Sequence, residues 1–312
     1  MGGYMLYFIV NEKSKSGNAK QIWKEIEEVL KVRNVSYQAF VSEYRGHAGK
    51  LAAEICAMDD NDICLVAVGG DGTANEVING ITDFEKVCFG VIPTGSGNDL
   101  ARGLSLSKDP KNGAIHILNA MKKSREDTWC MDLGEVNFGE KKRLFAISAG
   151  IGLDALVCKK ALKSTIKDIL NKIRLGKLTY LVLTVQSLFT MQTADAEIFF
   201  DREEGLQKKR MIFTAAMNFK AEGGGVPMAP AASACDGKLS FCEAAGIPKW
   251  RTFLCLPFLV AAKHTSIHGF SVTDAKDCTI RLSRPMVVHG EYCGEVTEVH
   301  FHCLPGKLRV LK

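Results

Sequence analysis

Ile63-Cys64-Leu65-Val66-Ala67-Val68-Gly69-Gly70-Asp71-Gly72-Thr73-Ala74-Asn75-Glu76-Val77-Ile78 runs from an apolar strand-like segment through closely spaced glycines into a helical pattern that continues to Ile81. Glycines let the backbone come within hydrogen-bonding distance of a bulky anion, and the helix that follows points free N–H groups at it. A loop so built holds phosphate. It also bears on the fold class, because strand, tight loop and helix form the repeating unit of a parallel sheet covered by helices. Ligands of such sheets bind at the carboxyl ends of the strands.

A second loop of the same design follows at once. After Val87–Ile92 comes Pro93-Thr94-Gly95-Ser96-Gly97-Asn98-Asp99, leading into a helical pattern through Leu100 and Leu104. Each loop sets one carboxylate, Asp71 or Asp99, beside hydroxyls and bare amides, where a divalent cation with its water shell can be held against nucleotide phosphates. One glycine-rich loop is compatible with an ordinary tight turn; two in succession point to phosphoryl transfer. Neither Gly-x4-Gly-Lys-Ser/Thr nor a strand followed by Gly-x-Gly-x-x-Gly with an acidic residue on the next strand occurs.

Outward from these loops, residues 1–128 alternate short apolar runs with helical stretches. These are Leu6–Val10, Ala19–Val32 with Ile22, Ile26 and Val29 on one face, Tyr37–Val41, Gly49–Met58, the two loop units, and Ala114–Lys122. The expectation is an α/β domain, a parallel sheet flanked by helices. From Trp129 the pattern changes to short β-runs: Cys130–Val136, Leu144–Ser148, Ala196–Phe200, Met211–Met217, Leu239–Glu243, Cys278–Leu282, Met286–Val288 and Val296–His302. Helical stretches near Ile151–Leu188 and Lys249–His264 interrupt them. Many short strands with Gly and Asn turns read as an antiparallel sandwich. The expected division is residues 1–128 and 129–312, with residues 307–312 as a strand that returns to the first domain.

The 312 residues are 46% hydrophobic, enough for two medium cores. Eleven cysteines are scattered singly with no Cys-x-x-Cys pair, and Cys56, Cys64, Cys88 and Cys255 sit in apolar runs, which suits free thiols in a reducing cytoplasm. Met1–Met5 leads straight into a strand without a basic n-region or cleavage site, so no signal peptide is expected. The most apolar stretch, Phe253–Ala262, covers half of the roughly 20 residues a membrane span needs and contains Pro257. The net charge of +5 is mild, and no nucleic-acid partner is expected. The charge is unevenly spread. Lys159, Lys160, Lys163, Lys167, Lys172, Arg174 and Lys177 face a single acid, Asp168, within Lys159–Lys177, alongside Leu162, Ile166, Ile169, Leu170 and Ile173 at helical spacing. Two readings stay open for it: a basic amphipathic helix on anionic lipid, or a solvated helix face over the core.

Gly69–Glu76 followed by Pro93–Arg102 resembles the catalytic domain of the bacterial diacylglycerol kinase and sphingosine kinase family of lipid kinases. Asn11–Gly17 is similar to the family's first nucleotide-contacting loop, with Glu12 in place of a proline and a longer loop. Ser42–Ala48 resembles the segment that abuts the nucleotide after the second strand. Ala149–Ala155, Gly223-Gly224-Gly225 with Ala229-Pro230, and Asp236-Gly237-Lys238-Leu239 fall in family order. The resemblance therefore covers nearly the whole chain. It implies an NAD kinase-like α/β domain and a C-terminal β-sandwich with the active site in the cleft between them. It also implies ATP and Mg2+ as cofactors, a lipid alcohol as substrate, and a cytoplasmic enzyme in peripheral contact with the membrane surface. A homodimer is left open.

Residue by residue, the resemblance implies nucleotide contacts at Asn11, Glu12, Lys13, Ser14, Lys15 and Ser42. It implies more at Gly70, Asp71, Gly72, Thr73, Ala74, Asn75 and Glu76, and at Thr94, Gly95, Ser96, Asn98 and Asp99. Ser233, Asp236 and Lys238 line up with residues that hold a structural magnesium, partly through main-chain oxygens; Asp236-Gly237 alone is a turn signal, and Cys235 stands where some relatives carry another aspartate. Phosphoryl transfer to an alcohol also needs a base. The family offers Asp-Gly-Glu on a late loop, and here that place reads His289-Gly290-Glu291. Glu291 takes the proton-acceptor role, while His289 serves as an alternative base, hydrogen-bonds Glu291, or is inert in a chain that has lost activity. Three functions follow: a lipid kinase, an NAD kinase-like enzyme, and a nucleotide-binding, membrane-associated sensor without turnover. His264 with His268, and His300 with His302, have formal metal-ligand spacings without a nearby third ligand in sequence and are expected to be structural.

Overall fold

A computed structural model of the chain describes residues 5–14, 19–123, 127–163, 176–201, 204–289 and 294–312. The chain forms two compact units, Met1–Leu133 with Pro305–Lys312, and Gly134–Leu304.

In the first unit β1 (Met5–Val10), α1 (Ala19–Val32), β2 (Gln38–Val41), α2 (His47–Cys56), β3 (Ile63–Gly69), α3 (Asp71–Gly80), β4 (Val87–Pro93), α4 (Asp99–Gly103) and α5 (Pro110–Ala120) follow in turn. The strands form a parallel sheet in the order β2-β1-β3-β4, with Val10 beside Val68 and Gly69 beside Pro93. Positions 63–69 and 87–93 are buried throughout, as parallel strands must be when helices cover both faces. Phe8 packs on Trp23 with ring centroids 5.1 Å apart, and Ile26 and Leu30 of α1 join Ile117 of α5 in the same core. The end of the chain belongs here as well. Arg309 and Val310 pair in parallel with Cys88 and Phe89, and the Asp132 carboxylate accepts the Gly306 N–H at 2.7 Å.

The chain leaves this unit within β5 (Trp129–Phe138). There follow β6 (Lys141–Phe145), β7 (Ser148–Gly152), α6 (Leu153–Lys163), α7 (Gly176–Thr190), β8 (Ala194–Phe200), β9 (Leu206–Met211), β10 (Phe213–Met217) and β11 (Leu239–Ala244). Then come α8 (Lys249–Val260), a 3-10 turn at His264–Ser266, β12 (Phe270–Ala275), β13 (Asp277–His289) and β14 (Gly294–Val310). Pairing in the second unit is antiparallel, in the order β12-β11-β10-β7-β13-β14, with β8 joined to β13 and β9 to β8. β13 serves two neighbours on one side. Cys278–Leu282 pair with β8, and after an irregularity between Arg281 and Met286, Val288 and His289 pair with β7. Phe241 is the core's centre, 5.5 Å from Phe200 and 5.9 Å from Phe301 by ring centroids.

The helix expected from Ile151 begins two residues later. Ile151 and Gly152 belong to β7, where they pair with Thr214 and Phe213, and the turn into α6 occurs at Gly152, whose φ of +86° favours glycine. Lys159 and Lys160 are half-buried, with their ammonium groups 3.6 Å from Glu295 and 3.2 Å from the Thr190 hydroxyl, respectively. The side chains of Lys163, Lys167, Lys172, Arg174 and Lys177 lie outside the described residues, so the basic-helix expectation stays with the sequence. Ten of the eleven cysteines are described, all free thiols.

Candidate active site

Both glycine-rich loops sit at the carboxyl ends of neighbouring strands, and the sheet brings them into contact. The Thr94 N–H donates to the Gly69 carbonyl at 2.8 Å, extending the β3–β4 pairing into the loops. A Cβ on Gly95 would lie 2.6 Å from Gly70 Cα, so neither loop has room for a side chain where they cross. A Cβ on Gly69 would lie 2.5 Å from the Thr73 side chain, which lets the first turn of α3 fold back over its own strand.

The amides that begin α3 are not capped by a side chain, and Gly70 at the N-cap leaves them open to an anion. Asn98 tightens the second loop: it adopts φ 53°, its side-chain amide donates to the Gly95 carbonyl at 2.9 Å, and its Oδ1 accepts the Gly95 N–H at 2.8 Å. Asn tolerates this left-handed conformation better than most residues.

Asp71 and Asp99 converge on Gly97, where a Cβ would lie 3.0 Å from Asp71 Oδ2 and 3.5 Å from Asp99 Oδ2. Burial pushes the Asp71 carboxyl above its usual range. The N–H groups of Leu100, at 3.0 Å from Oδ1, and of Asp99 pull it back, the charge of Asp99 raises it, and Arg102 lowers it. Arg102 ion-pairs with Asp99 and donates to the Gly97 carbonyl at 2.9 Å. Paired hard carboxylate oxygens, one of them destabilised as an anion, suit a divalent cation with oxygen ligands.

The N-terminal loop joins this cluster. Asn11 donates through Nδ2 to the Thr73 hydroxyl at 3.0 Å, and its Oδ1 accepts the Lys13 N–H at 3.1 Å. The Ser14 and Thr94 hydroxyls share a hydrogen bond of 2.6 Å. Glu12 lies in the same turn, and Lys15 is outside the described residues. Ser42 follows β2, with its N–H on the Val10 carbonyl at 2.9 Å, while Glu76 Oε1 accepts the Gly46 N–H at 2.8 Å and ties the 42–48 segment to α3. Thr73 and Ala74 are buried, Asn75 is half-buried, and Gly72 and Ser96 are exposed. The fold thus gathers Asn11, Ser14, Asp71, Thr73, Thr94, Gly95, Asn98 and Asp99 by direct contact. One feature beyond the expected residues emerges on this segment. Tyr44 and His47 stack with centroids 4.5 Å apart and planes 3° from parallel, and Lys50 lies over Tyr44 at 5.4 Å.

The remaining candidates belong to the second unit. Asp236 is exposed in a turn, its Oδ1 accepting the Lys238 N–H at 3.1 Å, and the Ser233 hydroxyl lies 3.5 Å from Cys235 Sγ. This loop offers one carboxylate and main-chain oxygens. His289 ends β13 with its backbone opposite Gly150 of β7, so His289 and the Ala149–Ala155 motif meet on adjacent strands. The His289 side chain and Glu291 are outside the described residues. Asp154, in that motif, approaches Gly150 closely enough that a Cβ there would lie 2.9 Å from its Oδ2. Glycine at 150 is the signal that could have singled it out.

The histidine pairs resolve differently from one another. His264 is fully buried, with Nε2 on the Met228 carbonyl at 2.9 Å, and His268 does not share a helix with it. His300 and His302 do have a carboxylate neighbour that the sequence spacing did not reveal: Asp277 Oδ1 is 2.6 Å from His302 Nδ1 and 3.5 Å from His300 Nε2. Among the described residues, however, no group of three His, Cys, Asp or Glu converges to hold a metal. A cavity of about 360 Å³ lined by Phe199, Asp277, Thr279, Arg281 and His300 lies on this face of the second unit.

Residues 5–131 match the family described as "Diacylglycerol kinase catalytic domain", and residues 148–312 match "YegS C-terminal NAD kinase beta sandwich-like domain". The Bacillus subtilis protein named "Putative lipid kinase YtlR" is 29% identical over 311 residues, 97% of this chain and 98% of its own length. A diacylglycerol kinase of the same organism is 27% identical over 251 residues, 78% of this chain and 75% of its own. The crystal structure of a diacylglycerol kinase from Bacillus anthracis superposes with a TM-score of 0.71 at 18% identity, covering 100% of this chain and 97% of the other. That likeness establishes the α/β domain followed by a β-sandwich as a shared fold.

Proposed function

We propose that this chain, which belongs to the diacylglycerol kinase family of lipid kinases, transfers the terminal phosphoryl group of ATP to the hydroxyl of a diacylglycerol or a closely related lipid alcohol. The observation that carries the reading is the crossing of the two loops at Gly70 and Gly95, with Asp71 and Asp99 converging beside them. Phosphoryl transfer is mostly positioning and charge stabilisation, and a backbone cradle with two carboxylates supplies both.

The α3 amides and the Thr73 and Thr94 hydroxyls take the phosphates, with Asn11 and Ser14 bracing those hydroxyls. Asp71 and Asp99 would hold Mg2+, which when bound would neutralise charge on the transferring group. The lipid hydroxyl oxygen attacks phosphorus, the bond to the ADP oxygen breaks, and Glu291 takes the hydroxyl proton. Ser233, Asp236 and Lys238 would hold a second, structural Mg2+ at their turn. The nucleotide-binding part corresponds to residues 1–128 and the lipid-binding part to residues 129–312, the last strand excepted.

The test is a phosphorylation assay with labelled ATP and extracted bacterial lipids, followed by identification of the product. A labelled phosphatidic acid or related phosphomonoester is the expected result. Labelled NADP from NAD without lipid would assign the NAD kinase-like reaction instead. Tight ATP binding with no turnover on any lipid or on NAD would favour the sensor reading that His289 motivates.

A further inference from the structure

α8 breaks the usual rule for a helix packed on a core. Thr252, Cys255 and Leu259 line its buried face, so the opposite face should be polar. It is not. Trp250 is 60% exposed and Leu254 57%, with Phe253, Phe258 and Val260 also exposed. Arg251 is the single charged residue among them.

The surface continues onto α7. Phe189 is 52% exposed and meets Phe253 with ring centroids 6.1 Å apart. Lys249 clamps the two helices together, its ammonium donating to the Phe189 carbonyl at 3.4 Å and to the Met191 carbonyl. A contiguous apolar patch of this kind marks an interaction site. Its charge identifies the partner. Residues 176–191 and 249–263 contain no Asp or Glu, while Lys249, Arg251 and Lys263 surround the exposed aromatics, with Arg251 and Lys263 themselves exposed.

We propose that the Trp250–Phe258 face of α8, together with Phe189, docks on a bilayer surface containing anionic phospholipid. The inference rests on the lipid-kinase reading for its biological sense and deepens it by naming the surface that meets the membrane. Trp250, an apolar ring with a polar N–H, suits the headgroup boundary, the phenylalanines bury below it, and flanking basic residues add attraction that salt screens. The helix lies in the interface and does not cross it. Its 12 residues are far fewer than the roughly 20 a span requires, and no helix among the described residues is long and apolar enough to cross a membrane.

The experiment is co-sedimentation of the full chain with phosphatidylcholine vesicles, with and without phosphatidylglycerol. It is read beside ATP affinity and turnover of a short-chain, water-soluble diacylglycerol. Phe253→Glu with Phe258→Glu is expected to lower vesicle partitioning at least about tenfold. Arg251→Glu with Lys263→Glu is expected to remove the preference for phosphatidylglycerol. Both variants should keep ATP affinity, short-chain turnover and Tm, since the altered side chains are exposed. Undiminished binding by both variants overturns the proposal. So does a change from dimer to monomer in the first variant with vesicle binding intact, which would make the patch a self-association face. Failure of the kinase reading looks different: no lipid is phosphorylated, while wild-type partitioning and its loss in the variants remain.

Discussion

The loops at Gly69–Thr73 and Pro93–Asp99 and the turn at Ser233–Lys238 offer oxygen ligands in opposite ways. In the first unit the loops grow from buried parallel strands, cross where glycine alone fits, and are braced by Asn11, Ser14 and Asn98 side chains. In the second unit Asp236 sits exposed in a turn that its own carboxylate closes. A geometry set by backbone and sheet register has little freedom to adjust, whereas an exposed turn can relax. Substitution should therefore be severe in the first and mild in the second.

The largest effect is expected from Asp71→Asn, which should reduce turnover to background while the fold persists. Because burial raises the Asp71 pKa in the folded protein, its charge opposes folding as pH rises through the carboxylate range. Removing that charge should leave Tm without nucleotide unchanged or higher at neutral pH, and should abolish the added stabilisation by Mg2+ and ATP. Thermal melts with and without Mg-ATP check this. Equal loss of Tm and activity would mean that Asp71 is a structural residue. Asp236→Asn in the same assay should keep most of the turnover, and a loss as large as that of Asp71→Asn would break the contrast between the two regions.

Next in size is the proton acceptor. Glu291→Gln should cost about 10²–10⁴-fold in rate, and His289→Ala much less. Should the histidine be the base, the ranking reverses and the rate of the natural chain falls on acidification as the imidazole takes up a proton. Rates of both variants between acidic and alkaline pH with one lipid substrate separate the two assignments. Gly95→Ala follows. A methyl group 2.6 Å from Gly70 Cα forces the loops apart, and a displacement approaching 1 Å costs on the order of 10²-fold in a positioned reaction. Gly223→Ala, where a Cβ meets nothing within 4 Å, is the control for a glycine that is merely conformational, with a φ of +59°. Comparable losses of turnover at 95 and 223 would remove the argument from loop crossing.

The same contrast explains what the sequence made legible. The glycine-rich loops are local, each written in one strand-loop-helix segment, and their glycines are meaningful at any distance from the rest of the chain. The parallel domain was readable for the same reason. β9 was not, because Leu206–Met211 is an outer strand with mostly exposed side chains and lacks an alternating apolar pattern. β12 was missed as well; its central positions are only half-buried. Pro305-Gly306 made Val296–His302 and residues 307–312 look like separate strands, whereas β14 runs from Gly294 to Val310. Asp277 beside His302 required the β13–β14 register, which places them opposite one another. The apolar run of α8 was legible as a helical stretch too short for a membrane span, but which of its two faces is buried depends on neighbours that the run itself does not contain.

The smallest expected effect concerns His264, which tests whether the second unit contains any site as inflexible as the loops of the first. Burial lowers its pKa from the ordinary 6.5, with the Met228 carbonyl opposing that shift, and its buried Nδ1 has no hydrogen-bond partner among the described residues. A histidine that resists protonation in the folded state contributes stability that is present above pH 6.5. That stability is lost as pH falls below 6.5, because the unfolded chain takes up the proton first. Melts should therefore show Tm declining by a few degrees on acidification below this value, given that about 1 kcal/mol moves Tm by ~2–4 °C in a unit of this size. His264→Gln retains a donor for the Met228 carbonyl and cannot titrate, so it should flatten that part of the profile while leaving kinase turnover unchanged. An unaltered pH profile in the variant would show that the acid sensitivity arises elsewhere. Lost turnover would show that the second unit's core is coupled to the chemistry as tightly as the crossing of Gly70 and Gly95.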